Sequence, residues 1–197
     1  VVKAEVDGIC GEGTEIRLTI PNAKLWYAEE PYLYTAKISA GEDTVEIPFG
    51  IREISWSQKG LFINGKETLL RGGCVHHDSG ILGAATYDES EYRRVRILKE
   101  NGFNAIRSAH NPASRALIEA CDRLGMYVMD ETFDMWYNRK NPYDYDMDFE
   151  KNWEADTAAM VSRDFNHPSV ILYSIGNEVG EPAEDKGLDY GRKMIDD

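Results

Sequence analysis

The stretch that decides the fold is Phe103-Asn104-Ala105-Ile106-Arg107-Ser108-Ala109-His110-Asn111-Pro112, then Ala113 to Gly125, then Met126-Tyr127-Val128-Met129-Asp130-Glu131. A short apolar run from Phe103 to Arg107 reads as a buried strand. Leu117, Ile118, Cys121 and Leu124 then recur at helical spacing, with Pro112 placed in the first turn and Gly125 positioned to end the helix. A second apolar run, Met126 to Asp130, follows at once. Strand, helix, strand at this spacing predicts a parallel pair joined by a right-handed crossover.

The same rhythm extends both ways. Upstream, Leu61-Phe62-Ile63 and the type I′ turn signal Asn64-Gly65 form a hairpin that leads to a strand from Leu69 to Val75. Asp88 and Glu91 have capping-box spacing for a helix that carries Tyr92, Val95 and Leu98 on one face and stops before Gly102. Downstream, a helix is predicted over Lys151–Phe165 (Trp153, Met160, Val161, Phe165), a strand over Val170–Ile175 and a fourth helix from about Ala183 to Ile195. Four strand-helix units fit either a small doubly wound sheet or half of a (β/α)₈ barrel, which needs eight units and about 250 residues. No G-x-G-x-x-G follows the first strand, so a dinucleotide-binding sheet loses support.

From Val1 to Trp56 the period is two instead. Ile16, Leu18 and Ile20 alternate with polar neighbours, as do Val45 and Ile47, and turn signals stand at Gly11–Gly13, Pro21-Asn22, Glu30-Pro31 and Gly41-Glu42-Asp43. Residues 1–56 therefore read as the C-terminal part of an immunoglobulin-like β-sandwich, and residues 57–197 as the α/β unit. A complete sandwich of that kind takes about 100 residues, so its first strands are expected to precede Val1, which reads as an internal cut.

The 197 residues include 22 Lys plus Arg and 35 Asp plus Glu, a formal charge of −13. Such a surface repels phosphate, so neither nucleic acid nor an anionic membrane is an expected partner. No run approaches the roughly 18 apolar residues of a membrane span. Cys10, Cys74 and Cys121 show no C-x-x-C spacing and read as free thiols, most simply buried ones, which favours a reducing, cytoplasmic location.

In either α/β architecture the chemistry sits at the carboxyl ends of the parallel strands. Those ends carry His76, His77 and Asp78; Arg107, Ser108, His110 and Asn111; Asp130 and Glu131; and Asn177 with Glu178. A ring of that many ionisable groups is costly to bury unless partners or a ligand compensate. Taken singly, Arg107 could simply pair with Asp130 or Glu131. His76, His77, Asp78 and Glu131 could hold a metal, but no H-E-x-x-H supports it, and G-x-S-x-G is absent. What remains is carboxylate chemistry beside loop aromatics (Trp136, Tyr137, Tyr143, Tyr145), a combination suited to sugars, whose glycosidic bonds are cleaved by paired carboxyl groups.

Read together, Leu70-Arg71-Gly72-Gly73, His76-His77-Asp78, Asn104 to Pro112, Cys121 to Met126 with Asp130-Glu131, and Asn166-His167-Pro168-Ser169 leading to Gly176-Asn177-Glu178 resemble glycoside hydrolase family 2, most closely its β-galactosidases. Leu25-Trp26, Pro31 to Tyr34 and Phe49 to Arg52 are similar to the end of the sandwich that precedes the TIM barrel there. The resemblance implies a fragment of a retaining enzyme acting on terminal β-D-galactosides. Glu178 would be the acid/base; Asn177 would bind the sugar 2-hydroxyl; Arg107 would orient the nucleophile; His110 would contact the sugar; and His76, Asp78, Glu131 and Trp136 would line the pocket.

Two departures stand out. Metal-dependent members carry a further Glu and a His after Asp-Glu, where this chain reads Thr132-Phe133-Asp134-Met135-Trp136-Tyr137, so no metal or other cofactor is expected. The family's nucleophilic Glu belongs to the seventh barrel strand, so this polypeptide alone is expected to be inactive and, with half a barrel exposed, to self-associate. β-Glucuronidase or β-mannosidase activity, or a non-catalytic carbohydrate-binding module, is the alternative.

Overall fold

The computed structural model describes residues 1–196. Strands β1 (Val2–Val6), β2 (Ile9–Gly13), β3 (Tyr34–Ala40) and β4 (Asp43–Phe49) form an antiparallel sheet in the order β2-β1-β3-β4. The β1–β2 turn is Asp7-Gly8, both with positive φ (49° and 78°), as a two-residue hairpin requires. Gly11 and Gly13, read from sequence as a turn, lie inside β2. The alternating Ile16, Leu18 and Ile20 form no strand. A Cβ on Gly11 would meet Ile16 and Leu18 at 2.7 and 3.0 Å, so that alternation reports side chains lying on the sheet, without a backbone ladder.

A small sheet follows, β5 (Ile54–Ser57), β6 (Gly60–Ile63) and β7 (Lys66–Glu67), with Asn64-Gly65 forming the predicted turn at φ 50° and 76°. The second half holds β8 (Gly72–His76), α1 (Asp88–Glu100), β9 (Ala105–Ala109), α2 (Arg115–Leu124), β10 (Tyr127–Glu131), α3 (Asp146–Asp164), β11 (Val170–Ser174) and α4 (Asp185–Asp196). Strands β8, β9, β10 and β11 pair in parallel and in chain order. Each crossover therefore steps one strand in the same direction, the progression of a barrel wall; a doubly wound sheet would reverse partway.

Ile106, Val128 and Val170 point to the helix side and bury against Val95 of α1 and Leu117, Ile118 and Cys121 of α2. On the opposite side Ala105, Tyr127 and Ile171 are covered by Trp26, Ala28 and Ile63, which close the N-terminal end of the sheet. Gly125 makes that closure fit. It ends α2 at φ 77°, and a Cβ there would lie 2.0 Å from the Ala28 carbonyl oxygen. Trp26 Nε1 donates to Asp122 O at 2.9 Å, and Arg52 donates to Pro168 O and Val170 O. The His167-Pro168 turn thus fastens the two halves together. Burial opposes a charge on His167, but its contact with the Asp122 carboxylate at 2.5 Å outweighs this and raises the imidazole pKa.

Several local readings shift. Tyr87, not Asp88, is the residue before α1, and no side chain caps it; Glu91 lies buried inside the first turn, 3.8 Å from Arg94. Helix α2 starts at Arg115, after Pro112, and Ser114 caps it by accepting from Leu117 N at 3.2 Å. Leu69 and Leu70 stay outside β8 because Asn104 takes the Leu69 carbonyl and the Arg71 amide with its side chain. Helix α3 begins five residues before Lys151, anchored by the fully buried Phe149. Only Cys121 is a buried thiol; Cys10 and Cys74 are free and exposed. Among the described residues no helix is long and apolar enough to cross a membrane.

Candidate active site

Parallel pairing puts residues at equal register on one face, so side-chain direction follows from the strands. Arg107 and Glu131 point away from the helices, while Ser108 and Asp130 point toward them. Glu131 is fully buried at the end of β10 and is the hub. Its Oε2 accepts from Arg107 Nε (2.9 Å), Arg107 Nη2 (2.5 Å) and Ser174 Oγ (2.6 Å), and its Oε1 lies 2.7 Å from His110 Nδ1. Arg107 Nη2 also reaches Asn177 Oδ1 at 3.0 Å. Three adjacent strand ends, with the segments that follow β9 and β11, therefore converge through one guanidinium and one carboxyl group. Of the two pairings open to Arg107, the one formed is with Glu131.

Asn177 is 8% exposed and is held from both sides, because its Nδ2 donates to Asp134 Oδ1 at 2.9 Å. Glu178, next in the chain, is exposed and takes a left-handed backbone (φ 48°), the turn that lifts it out of the network. The exposed His76 packs edge-on against the His110 ring, centroids 5.1 Å apart. The structure thus brings together Arg107, His110, Glu131 and Asn177, with Glu178 and His76 on the open side.

Two expected members fall elsewhere. Trp136 is fully buried, stacked on Phe149 (6.0 Å between centroids, 16° between planes) with its Nε1 donating to Ile175 O at 2.7 Å. It secures the base of the β10–α3 loop and offers no face to a sugar, because an aromatic flanked by Phe133, Phe149 and Met194 gains more by joining a core than by facing water. Asp78 lies past β8 in a cavity shared with Ile81, Arg94 and Leu98 of the α1 side, with no hydrogen bond to the cluster among the described residues. Of the loop aromatics, Tyr143 and Tyr145 are the exposed ones. They line a cavity of about 760 Å³ together with His110, Asn111 and Asp134. Among the described residues no three His, Cys, Asp or Glu side chains are grouped to hold a metal ion.

Sequence reading missed the supports. Ser108 Oγ donates to Asp130 Oδ1 and accepts from Glu131 N, both at 2.9 Å, and Ala113 N donates to the same Asp130 oxygen at 3.0 Å. Among the described residues Asp130 Oδ2 has no hydrogen-bond partner. Burial pushes this carboxyl up from 3.8 to about 7, and neighbouring Asp164 adds to the shift. A group whose pKa rises on folding gives stability that is full below its unfolded value and lost as pH rises through the folded one. Asp130→Asn, which mimics the protonated form, is therefore expected to gain on the wild type as pH rises from about 4 to about 8 in urea unfolding; parallel pH curves would refute this.

The family model described as "Glycosyl hydrolases family 2, TIM barrel domain" matches residues 54–197, and one described as "Glycosyl hydrolases family 2" matches residues 2–52. The chain belongs to glycosyl hydrolase family 2. It is 41% identical to β-galactosidase BoGH2A of Bacteroides ovatus over 96% of this chain and 23% of that protein. To a putative β-glucuronidase of Formosa agariphila it is 32% identical, over 98% of this chain and 19% of that one. The crystal structure of a family 2 member from Bacteroides cellulosilyticus superposes with a TM-score of 0.89 at 37% identity, covering 99% of this chain and 28% of that chain. This family 2 chain thus spans about a fifth to a quarter of the curated relatives' length.

Proposed function

We propose that this chain carries the acid/base side of a retaining β-glycosidase that hydrolyses terminal β-D-galactosides. The observation that carries the reading is the exposed Glu178 directly following a buried Asn177 whose amide is bonded to the Arg107–Glu131–His110 network.

In this reading Asn177 grips the sugar and Glu178 gives its proton to the glycosidic oxygen as the bond to the anomeric carbon breaks. The leaving alcohol departs neutral. Glu178, now a carboxylate, then takes a proton from the water that releases the glycosyl-enzyme. Retention needs a second carboxylate about 5–5.5 Å from the first. Glu131 does not suit that role, because it is fully buried and both its oxygens are engaged by Arg107, Ser174 and His110. The nucleophile is assigned to another part of the parent hydrolase.

The β-galactoside assignment leans on the relative named a β-galactosidase at 41% identity; a β-glucuronide is the second reading, favoured by the relative named a putative β-glucuronidase. Nitrophenyl β-galactoside, β-glucuronide and β-mannoside, offered to the parent hydrolase, are expected to rank with galactoside first in kcat/KM, and proton NMR to show the β-anomer released first. A glucuronide preference would change the sugar alone. An α-anomer product would overturn the retaining mechanism, and no turnover on any of the three would overturn the hydrolase reading and leave the binding-module one.

A further inference from the structure

The long loop between β10 and α3 returns one cation to the site. Lys140 Nζ donates to the Asn177 carbonyl oxygen at 2.6 Å, to the Asp134 carbonyl oxygen at 2.7 Å and to Asp134 Oδ1 at 3.2 Å. All three ammonium donors are used. The loop is shaped to deliver it, since Asp144 Oδ2 accepts from the backbone N–H of Lys140 (2.9 Å) and of Asn141 (2.5 Å), closing a tight turn around the lysine. Asn177 N bonds back to Phe133 O at 3.0 Å, so the two segments that Lys140 joins already run side by side.

We propose that Lys140 is a positioning residue for the acid/base, bracing the Asn177–Glu178 backbone and, through Asp134, the side chain of Asn177. The Asn177 amide oxygen faces the Arg107 guanidinium and its nitrogen faces the Asp134 carboxylate. Turned over, the amide would set donor against donor and acceptor against acceptor, so Asp134 fixes which group Asn177 offers to a sugar hydroxyl. One amide N–H remains free for that contact. Burial works against a charge on Asp134, yet the Asn177 and Lys140 hydrogen bonds hold its carboxyl below the ordinary value, keeping it an acceptor. The ammonium also holds the carbonyl of the very peptide that enters Glu178, whose left-handed backbone (φ 48°) is costly for a residue with a side chain. A brace there resists relaxation of the turn. The Lys140 side chain is 26% exposed and that of Asp134 38%, so ordinary folding stability depends little on this ion pair.

The inference rests on Glu178 being the acid/base, and the test separates the two. In the parent hydrolase, Lys140→Met is expected to lower kcat on the phenyl β-glycoside of the preferred sugar roughly 10- to 100-fold, the scale of an ångström-sized misplacement. The loss should be smaller on the 2,4-dinitrophenyl β-glycoside, whose leaving group needs no proton. Lys140→Arg should restore much of it by keeping the charge. Asp134→Asn, which retains an acceptor for Asn177 but not the partner charge, should show the same leaving-group dependence and serves if Lys140→Met fails to fold. Equal losses on both substrates without rescue by Arg, or wild-type kinetics for Lys140→Met beside an impaired Glu178→Gln, would overturn the inference alone. Full activity of Glu178→Gln would remove the acid/base reading, and the role of Lys140 with it.

Discussion

Glu178→Gln in the parent hydrolase is expected to lower kcat/KM on phenyl β-galactoside by roughly 10²–10⁴-fold, the usual contribution of a positioned general acid. The reason is local. Phenoxide is a poor leaving group, and an amide at this position has no proton of useful acidity to give it. On the 2,4-dinitrophenyl glycoside the first step should survive, since that leaving group departs as an anion, and the deficit should move to hydrolysis of the glycosyl-enzyme, where water has lost its base. Azide, an anion that needs no base, is then expected to restore turnover and yield a β-glycosyl azide. A uniform loss on both substrates with no azide product would assign Glu178 to binding instead. Glu178 is exposed at the turn tip, so the substitution leaves no buried polar group unpaired, and thermal unfolding should change by little.

What could be read from sequence divides by the range of the interaction involved. The β9–α2–β10 unit was legible because its signals are local: a helical stripe at Leu117, Ile118 and Cys121, and a glycine at 125 that must end the helix. The chain-order parallel sheet then placed Arg107, Glu131 and Asn177 at one rim. Boundaries failed where a side chain from far along the chain competes with the backbone. Asn104, which takes the backbone groups on either side of Leu70, delays β8, and this has no sequence signature. Trp136 was misplaced because composition cannot distinguish an aromatic that faces a sugar from one that joins Phe133 and Phe149. Lys140, Ser108 and Asp130 stayed invisible as supports. Each acts through a partner 22 to 37 residues away, and only the folded register reveals which side of a strand or loop it serves.

Those supports explain how a buried glutamate is tolerated at all. Its two oxygens together face Arg107, His110 and Ser174, and its backbone N–H is held by Ser108, so no part of the group is left without a partner. The arrangement is a rigid platform from which the Asn177–Glu178 turn projects. The proposed acid/base role would draw on such rigidity, because proton donation depends on geometry held within a fraction of an ångström.

Arg107→Met is accordingly expected to be the most destabilising single change in the site. Removing one member of a buried pair leaves the other charge unpaired, at a cost of about 3–5 kcal/mol. Here the Arg107 side chain is 31% exposed while Glu131 is fully buried, so water entering the vacated space should hold the loss near the lower end of that range. Arg107→Lys keeps the charge but cannot match the two-nitrogen grip on Glu131 Oε2 and should recover only part of it. The decisive variant is the double one. Arg107→Met with Glu131→Gln removes the orphaned charge, and its unfolding free energy in urea should lie above that of Arg107→Met alone. Activity should stay lost, since Asn177 Oδ1 has no guanidinium to hold it. If Arg107→Met unfolds like the wild type, the pair contributes nothing to stability; if the double variant is worse than the single one, Glu131 stabilises the fold through His110 and Ser174 more than through Arg107.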